Sequence, residues 1–232
     1  MLVAKHELKI DWASHEAAKY ACTNWHYSKC LPIGKLVKVG VWENEKYIGC
    51  VIYSRGTAKD LGTKYGLTQG ECVELTRVAL KSHEAPVSQI LAISLKMLKK
   101  SNPGLKLVVS FAAQSENHHG GIYQATNWIY SGESDVIADA IYKGRRVANR
   151  VLSELVQKSK CSVNELEQRG IIKDVRRFRK YRYLMPLNKA TKKSIMHLHK
   201  PYPKRAKEAG ATEPPVALGG ATPTCPLQTT ET

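Results

Sequence analysis

Residues 105–132, LKLVVSFAAQSENHHGGIYQATNWIYSG, constrain the fold more than any other stretch of this chain. Leu105, Leu107, Val108 and Val109 form an apolar run short enough for a strand buried on both faces. A polar loop follows, ends in His118-His119-Gly120-Gly121, and leads into a helix-like aromatic and amide segment at 122–128. A turn at Ser131-Gly132 closes the unit. A buried strand that breaks into a glycine-containing loop and then a helix presents backbone N–H groups and side chains at the strand end, where α-and-β proteins bind ligands. The alternative is an ordinary strand–loop–helix with its aromatics in the core.

The segments around this unit set its context. A strand is expected at 5–10, with Asp11 as N-cap of a helix through Ala13, Ala17, Tyr20 and Ala21 that ends near Trp25-His26-Tyr27. Strands at 36–42 and 47–53 form a hairpin, and a glycine-bearing loop covers 54–68. A strand at 71–81 precedes a helix at 82–100, capped by Ser82 or His83 and striped by Val87, Ile90, Leu91, Leu95 and Leu98. Beyond Gly132 come a strand or loop at 135–142, a helix at 147–157 and a capping box, Ser162 to Glu165, on a second short helix. VRRFRKYR then clusters basic residues around Phe178 and Tyr181, and 181–187 returns to strand character before a basic tail. The order implies a mixed α+β fold. It divides into a core at 1–132, a basic insertion at 133–179, a last core strand and basic tail at 180–205, and a disordered Pro/Thr/Gly/Ala tail at 206–232.

Charge is partitioned sharply. Residues 1–142 carry 16 Lys/Arg against 13 Asp/Glu, residues 143–207 carry 20 against 4, and residues 208–232 carry none against 3. The whole formal excess of +16 therefore sits in one stretch, as a polyanion-binding surface requires; a solvated basic face is the bland rival. No run of about 18 apolar residues predicts a membrane span, and the N-terminus lacks the pattern of a secretory signal. Six cysteines at 22, 30, 50, 72, 161 and 225, without CxxC spacing, read as reduced thiols of a cytoplasmic protein.

The blocks HYSKCLPIGK, ELTRVAL, SFA…HHGGIYQATNWIYSG and KYRYLMPL resemble the Mom DNA-modification family of bacteriophages, over about residues 20–205. That family is regarded as an offshoot of the GCN5-related N-acyltransferase superfamily. It converts adenine in DNA to N6-(carbamoylmethyl)adenine and so shields phage DNA from host restriction enzymes. The resemblance implies that 71–81 and 105–111 are central strands that splay to form the cofactor cleft, with 133–179 inserted before the last strand. It implies activity in the host cytoplasm on double-stranded DNA with a flipped adenine. It leaves open a homodimer.

Two departures matter. The superfamily's glycine-rich pyrophosphate loop after the fourth strand reads KSHEAP here, without a glycine, which weakens acyl-CoA as donor. The family pattern also implies an Asp after Ser110-Phe111-Ala112, where this chain has Ala113. Carbamoylmethyl is an isomer of glycyl, so an activated glycyl donor such as glycyl-tRNA suits both the product and a basic chain, which would add tRNA as a partner. A metal, iron or zinc, is a weaker expectation at His118 and His119.

An exocyclic amine needs a base, an acid and an oxyanion holder. The candidates are Tyr123 as general acid, Asn127 one turn on and on the same helix face, Ser110 at the strand end, and His26 and Tyr27 on the acceptor wall. Arg77, set between apolar neighbours, would hold a donor carbonyl or phosphate, or pair with Glu74. Trp25, Tyr27 or Trp128 would stack on a flipped base, and Arg145, Arg146, Arg150, Arg176, Arg177 and Arg179 would hold phosphates. A non-catalytic DNA binder and an N-acetyltransferase of protein or small-molecule amines are the rival functions.

Overall fold

The alternating apolar segments pair into a large mixed sheet, seen in a computed structural model that describes residues 7–55, 61–116 and 118–204. The expected disordered tail lies outside the described residues. The elements are β1 (Leu8–Trp12), α1 (His15–Trp25), β2 (Leu36–Glu43), β3 (Lys46–Ser54), β4 (Cys72–Leu80), α2 (Val87–Ser101), β5 (Leu107–Ala113) and α3 (Gly121–Gln124). Then follow β6 (Ile129–Glu133), β7 (Ile137–Tyr142), β8 (Arg145–Val147), α4 (Asn149–Ser159), α5 (Val163–Gln168), β9 (Ile172–Phe178), β10 (Lys180–Pro186) and α6 (Lys189–Ile195). Seven strands form the main sheet in the order β1-β2-β3-β4-β5-β10-β6, and β8-β7-β9 form a second sheet.

Only β4 and β5 run parallel, and their pairing stops early. Cys72 to Leu75 face Leu107 to Ser110, and no partner follows. The register of β4 against β3 slips between Leu75 and Arg77, which leaves Thr76 as a bulge. A bulge bends its strand, so the chain turns away from β5 at the rung where the pairing ends. This is the splayed pair that the superfamily resemblance implies.

Each face of the sheet takes its own helix. Ile90, Leu91, Leu95 and Leu98 of α2 pack on a core that includes Tyr53, Leu75, Val78, Tyr123, Trp128 and Tyr183. On the opposite face the small residues Ala18, Ala21 and Cys22 let α1 lie close to Cys50, Ile52 and Ala79. Gly49 (φ +144°) sits where an added Cβ would lie 2.0 Å from the Ala79 carbonyl oxygen, so only glycine permits the β3–β4 approach there.

Local boundaries differ from the sequence expectation for identifiable reasons. The first strand starts at Leu8, and Asp11 lies within it; Ser14 caps α1 instead, accepting from the Ala17 N–H at 3.1 Å. The helix expected from residue 82 starts at Val87, and neither Ser82 nor His83 caps it. The Glu43 carboxylate, at the end of β2, accepts the N–H groups of Glu84 (3.1 Å) and Ala85 (2.6 Å). The basic tail expected after residue 187 is in part ordered. Asn188 caps α6, which buries Thr191 and Ile195, and the Tyr202 hydroxyl donates to the Trp128 carbonyl at 2.7 Å.

The basic insertion lies in the chain between β6 and β10 and has its own core of Ala138, Ala140, Leu152, Cys161, Leu166 and Ile172. The Ser162–Glu165 capping box forms as expected. Its other face is held by charge. Asp139, 2% exposed, takes a bidentate pair from Arg176 (2.9 and 2.7 Å) and a further bond from Arg146 (2.5 Å), which also pairs with Asp174. Removing the central carboxylate strands two guanidinium groups that face each other. Asp139→Ala should therefore destabilise the insertion by about 2–3 kcal/mol, read as lost amide-exchange protection across β7 and β9 while the main sheet stays protected.

Candidate active site at the parting strands

The end of the β4–β5 pairing organises the site. Ser110, on its last rung, bonds the Leu75 carbonyl and the Tyr123 hydroxyl, each at 2.8 Å. Tyr123 is 2% exposed and its ring packs between Trp128 and Tyr183 at centroid distances of 5.0 and 4.9 Å. Two of the candidates, Ser110 and Tyr123, thus meet on the α2 face of the sheet, through a tyrosine that is also a core aromatic.

Asn127 does not join it. The helix carrying Tyr123 has four residues and closes in a Schellman turn: the Trp128 N–H bonds the Tyr123 carbonyl (2.9 Å), with Asn127 left-handed at φ 58°. Its side chain therefore leaves the Tyr123 face and lines an open groove of about 430 Å³ with Pro86, Ser88, Gln89 and Met185. Trp128 is fully buried, so it stacks on core aromatics and has no face for a flipped base.

The α1 face gathers the other candidates. Arg77 pairs across the sheet with Ile52, whose side chain packs against α1. The Arg77 side chain is 1% exposed and donates from Nη1 to the carbonyl of the bulged Thr76 at 2.8 Å, while Nε and Nη2 have no hydrogen-bond partner. No ion pair with Glu74 forms among the described residues. His26 is buried at the end of α1 with Nδ1 2.7 Å from the Ser28 hydroxyl. Tyr27 stacks on the His26 ring (4.3 Å) and meets the His118 ring edge-on at 5.6 Å, which joins the end of α1 to the loop after β5. Trp25 stays partly accessible between Tyr20 and Tyr47.

His118 and His119 diverge in role. The His119 carbonyl accepts from the Tyr183 hydroxyl at 2.5 Å, and Gly120 (φ +81°) lies so close to the Tyr183 ring that a Cβ would meet it at 2.3 Å. The glycines thus let the loop close over Tyr183. Among the described residues no three His, Cys, Asp or Glu side chains converge as a metal site.

Ala113 is buried on β5, not in the loop, and its cross-strand partner is Lys180 of β10. Sequence reading missed Lys180, because a residue inside a basic run gives no sign of which strand it will face. Burial pushes its ammonium down to about 8; Glu74 opposes that shift and Arg77 adds to it. Burial also raises the Glu74 carboxyl, against the pull of Lys180 and Arg77.

The arginines of the insertion fall into two groups. Arg146 and Arg176 are bound to Asp139 and serve the fold. Arg150 makes a surface pair with Glu154 (3.2 Å), Arg177 bonds the Asn164 amide oxygen (2.5 Å), Arg179 donates to the Ser134 carbonyl (3.1 Å), and Arg145 is exposed. These four keep charge available to a polyanion.

The superfamily resemblance places an acyl-CoA pyrophosphate at the loop before α2. The N–H groups of Glu84 and Ala85 are taken by the Glu43 carboxylate, an anion supplied by the chain itself. With no glycine in KSHEAP and a carboxylate already in place, this loop does not fit a pyrophosphate.

The fold is thus mixed α+β, with a parting parallel pair and buried polar groups on both sides of the gap. Residues 7–204 match the Mom protein family, and the chain belongs to it. It is 24% identical over 209 residues to the methylcarbamoylase Mom of Escherichia phage Mu, covering 85% of this chain and 84% of that one. Among solved structures it is similar to a putative acetyltransferase of Acinetobacter baylyi ADP1 (TM-score 0.43, 11% identity, 80% of this chain and 95% of that one). It is also similar to the acyl-homoserine-lactone synthase LasI (TM-score 0.38, 10% identity, 83% and 95%).

Lys180 gives a test with a definite sign. Its folded value lies below the ordinary 10.5, so the folded protein favours the neutral amine. Stability should rise as pH passes from about 8 towards 10.5 and should be lowest, from this group, below pH 8. Lys180→Met should remove that slope and raise the urea midpoint at pH 7.

Proposed function

We propose that this chain is a DNA-modification enzyme that places a carbamoylmethyl group on the N6 nitrogen of adenine in double-stranded DNA, using an activated glycyl donor. The reading is carried by membership in the Mom family over residues 7–204, together with a relative named a methylcarbamoylase. Support for the donor comes from the loop before α2, which is satisfied by Glu43 and does not fit acyl-CoA.

The chemistry balances with acyl transfer alone. The adenine amine attacks the carbonyl of a glycyl ester, such as that on tRNA; the C–O bond breaks, and the leaving hydroxyl takes the proton the amine gives up. The resulting glycyl amide carries a free amine that reaches ring carbon 6. Attack there and cleavage of the bond from carbon 6 to the original nitrogen leave that nitrogen as the terminal carboxamide. The Tyr123 hydroxyl, set on Ser110 at the base of the gap, is the general acid for the leaving group. Arg77 faces the donor with the N–H groups it has spare. His26 and Tyr27 wall the acceptor side, and Tyr27 or Trp25 stacks on the flipped adenine.

DNA is held by the insertion. Charge reversal at Arg177 and Arg179 should weaken duplex binding and reduce its salt slope by about 2, with folding intact. Reversal at Arg146 or Arg176 should instead unfold the insertion, because both bind Asp139.

Ala113 favours a second reading, a non-catalytic binder on the same fold, since a buried methyl replaces the carboxylate that the family pattern implies. Nucleoside mass spectrometry of DNA from expressing cells fed 15N-glycine separates the two. The enzyme yields a modified adenosine whose 15N is bonded to the purine ring. Unmodified DNA, converted to modified DNA by Ala113→Asp, sinks the enzymatic reading for this chain. Label in the carboxamide sinks the rearrangement.

A further inference from the structure

Three charged side chains share the α1 face of the main sheet where β4 and β5 part. Glu74 pairs with Ser54 of β3 and Val109 of β5, and Val109 packs in the apolar cluster of that face. The bulge at Thr76 then returns Arg77 to the same face, opposite Ile52. Without it, Arg77 would point to the α2 side with Leu75, because side chains alternate along a strand. Lys180 alternates with Tyr181 and shares its side with Leu184, which packs in the same cluster as Val109. On β5 its cross-strand position is held by Ala113.

The balance of this face is uneven. It holds two cations and one carboxylate. That carboxylate lies beyond ion-pair distance of Arg77, and burial favours its neutral form. Nε and Nη2 of the buried Arg77 have no hydrogen-bond partner. A guanidinium kept from water with most of its fork unused is costly unless something else fills it. Its geometry matches two oxygens of one planar or tetrahedral anion. A second cation from β10, within electrostatic reach of it, adds charge without supplying an acceptor.

We propose that Arg77 and Lys180 form an oxyanion-binding site on the α1 face of the parting strands, and that it takes a phosphate group of the transfer donor. Only the identification of the ligand as a donor rests on the function proposed above. The site itself is tested without DNA and without turnover.

The Arg77 Nε–H resonance of 15N-labelled full-length protein is followed during separate titrations with inorganic phosphate and with acetate. A saturable shift is expected with at least one of them. A shift with phosphate supports a phosphate-bearing donor; a shift with acetate alone overturns that donor assignment, since an esterified glycine has no carboxylate. Lys180→Met, which keeps the apolar stem, should weaken that anion by at least about tenfold. Arg177→Glu with Arg179→Glu should leave it unchanged, which separates the site from the surface grip. Arg77→Met should fold with undiminished thermal stability, since the guanidinium it removes makes one hydrogen bond. An Nε–H signal that neither anion moves overturns the proposal, as does full-strength binding in Lys180→Met. So does a collapse of stability in Arg77→Met, which would mark Arg77 as a structural group. Anion binding that persists in a chain making no modified adenine leaves the site standing and removes only its assigned donor.

Discussion

The bulge at Thr76 governs most of what is distinctive in this protein. Up to Leu75 the β4 strand is an ordinary central strand, paired on one side with β3 and on the other with β5. One extra residue then changes three things together. It ends the pairing with β5 beyond Ser110, it frees the Thr76 carbonyl to accept from Arg77, and it turns the Arg77 side chain from the α2 face to the α1 face. The Thr76 hydroxyl secures the irregularity by donating to the Ile52 carbonyl at 3.0 Å. A gap in the middle of a sheet would ordinarily expose backbone groups in the core. Here the Ser110 hydroxyl covers the Leu75 carbonyl and carries the Tyr123 hydroxyl with it. The same rung therefore closes the sheet on one side and opens the site on the other.

Sequence patterns revealed the elements better than their neighbours. The hairpin, the two central strands and the Ser162 capping box are local, and alternation or cap chemistry finds them. The helix before residue 87 was misplaced because its start is satisfied by Glu43, a residue 41 positions away from Glu84. Asn127 was placed on the wrong side because a period of 3.6 was extended past a stop. Asparagine at the left-handed position of a Schellman turn is a readable signal, and it ends α3 after one turn. Charge counts mark residues 143–207 as basic and do not tell which arginines serve the fold. A count cannot show that Asp139 is buried between Arg146 and Arg176, since their pairing depends on the register of β7 with β9. Lys180 was invisible for the same reason: its importance comes from standing opposite Ala113, 67 residues earlier in the chain, and that adjacency arises only because β10 inserts between β5 and β6.

Glu43 and Arg77 bear on the donor from opposite faces of the sheet. In the loop before α2 the protein supplies its own anion to the backbone donors, so no external phosphate is needed to satisfy them. At Arg77 the protein supplies donors and withholds the acceptor. An enzyme that held its donor by the loop would show the reverse arrangement. On the proposed reading the charged anchor lies at the gap and not at the helix end, which suits a donor whose activated group is small.

Residue 113 then determines what the gap can hold. Directly opposed residues on antiparallel strands bring their Cβ atoms to about 5 Å, so a carboxylate at this position would lie within reach of the Lys180 ammonium and neutralise it. With alanine there, the only carboxylate of the trio is Glu74, whose charged form burial disfavours. The substitution therefore does more than delete a candidate base. It also sets a methyl group opposite Lys180 at the rung where the family pattern implies a carboxylate. On the proposed reading, Arg77 and Lys180 attract an anion in the ground state. A carboxylate at residue 113 would lower that attraction and leave the oxyanion that develops during transfer as the better ligand, so residue 113 sets how tightly the gap holds its donor before transfer.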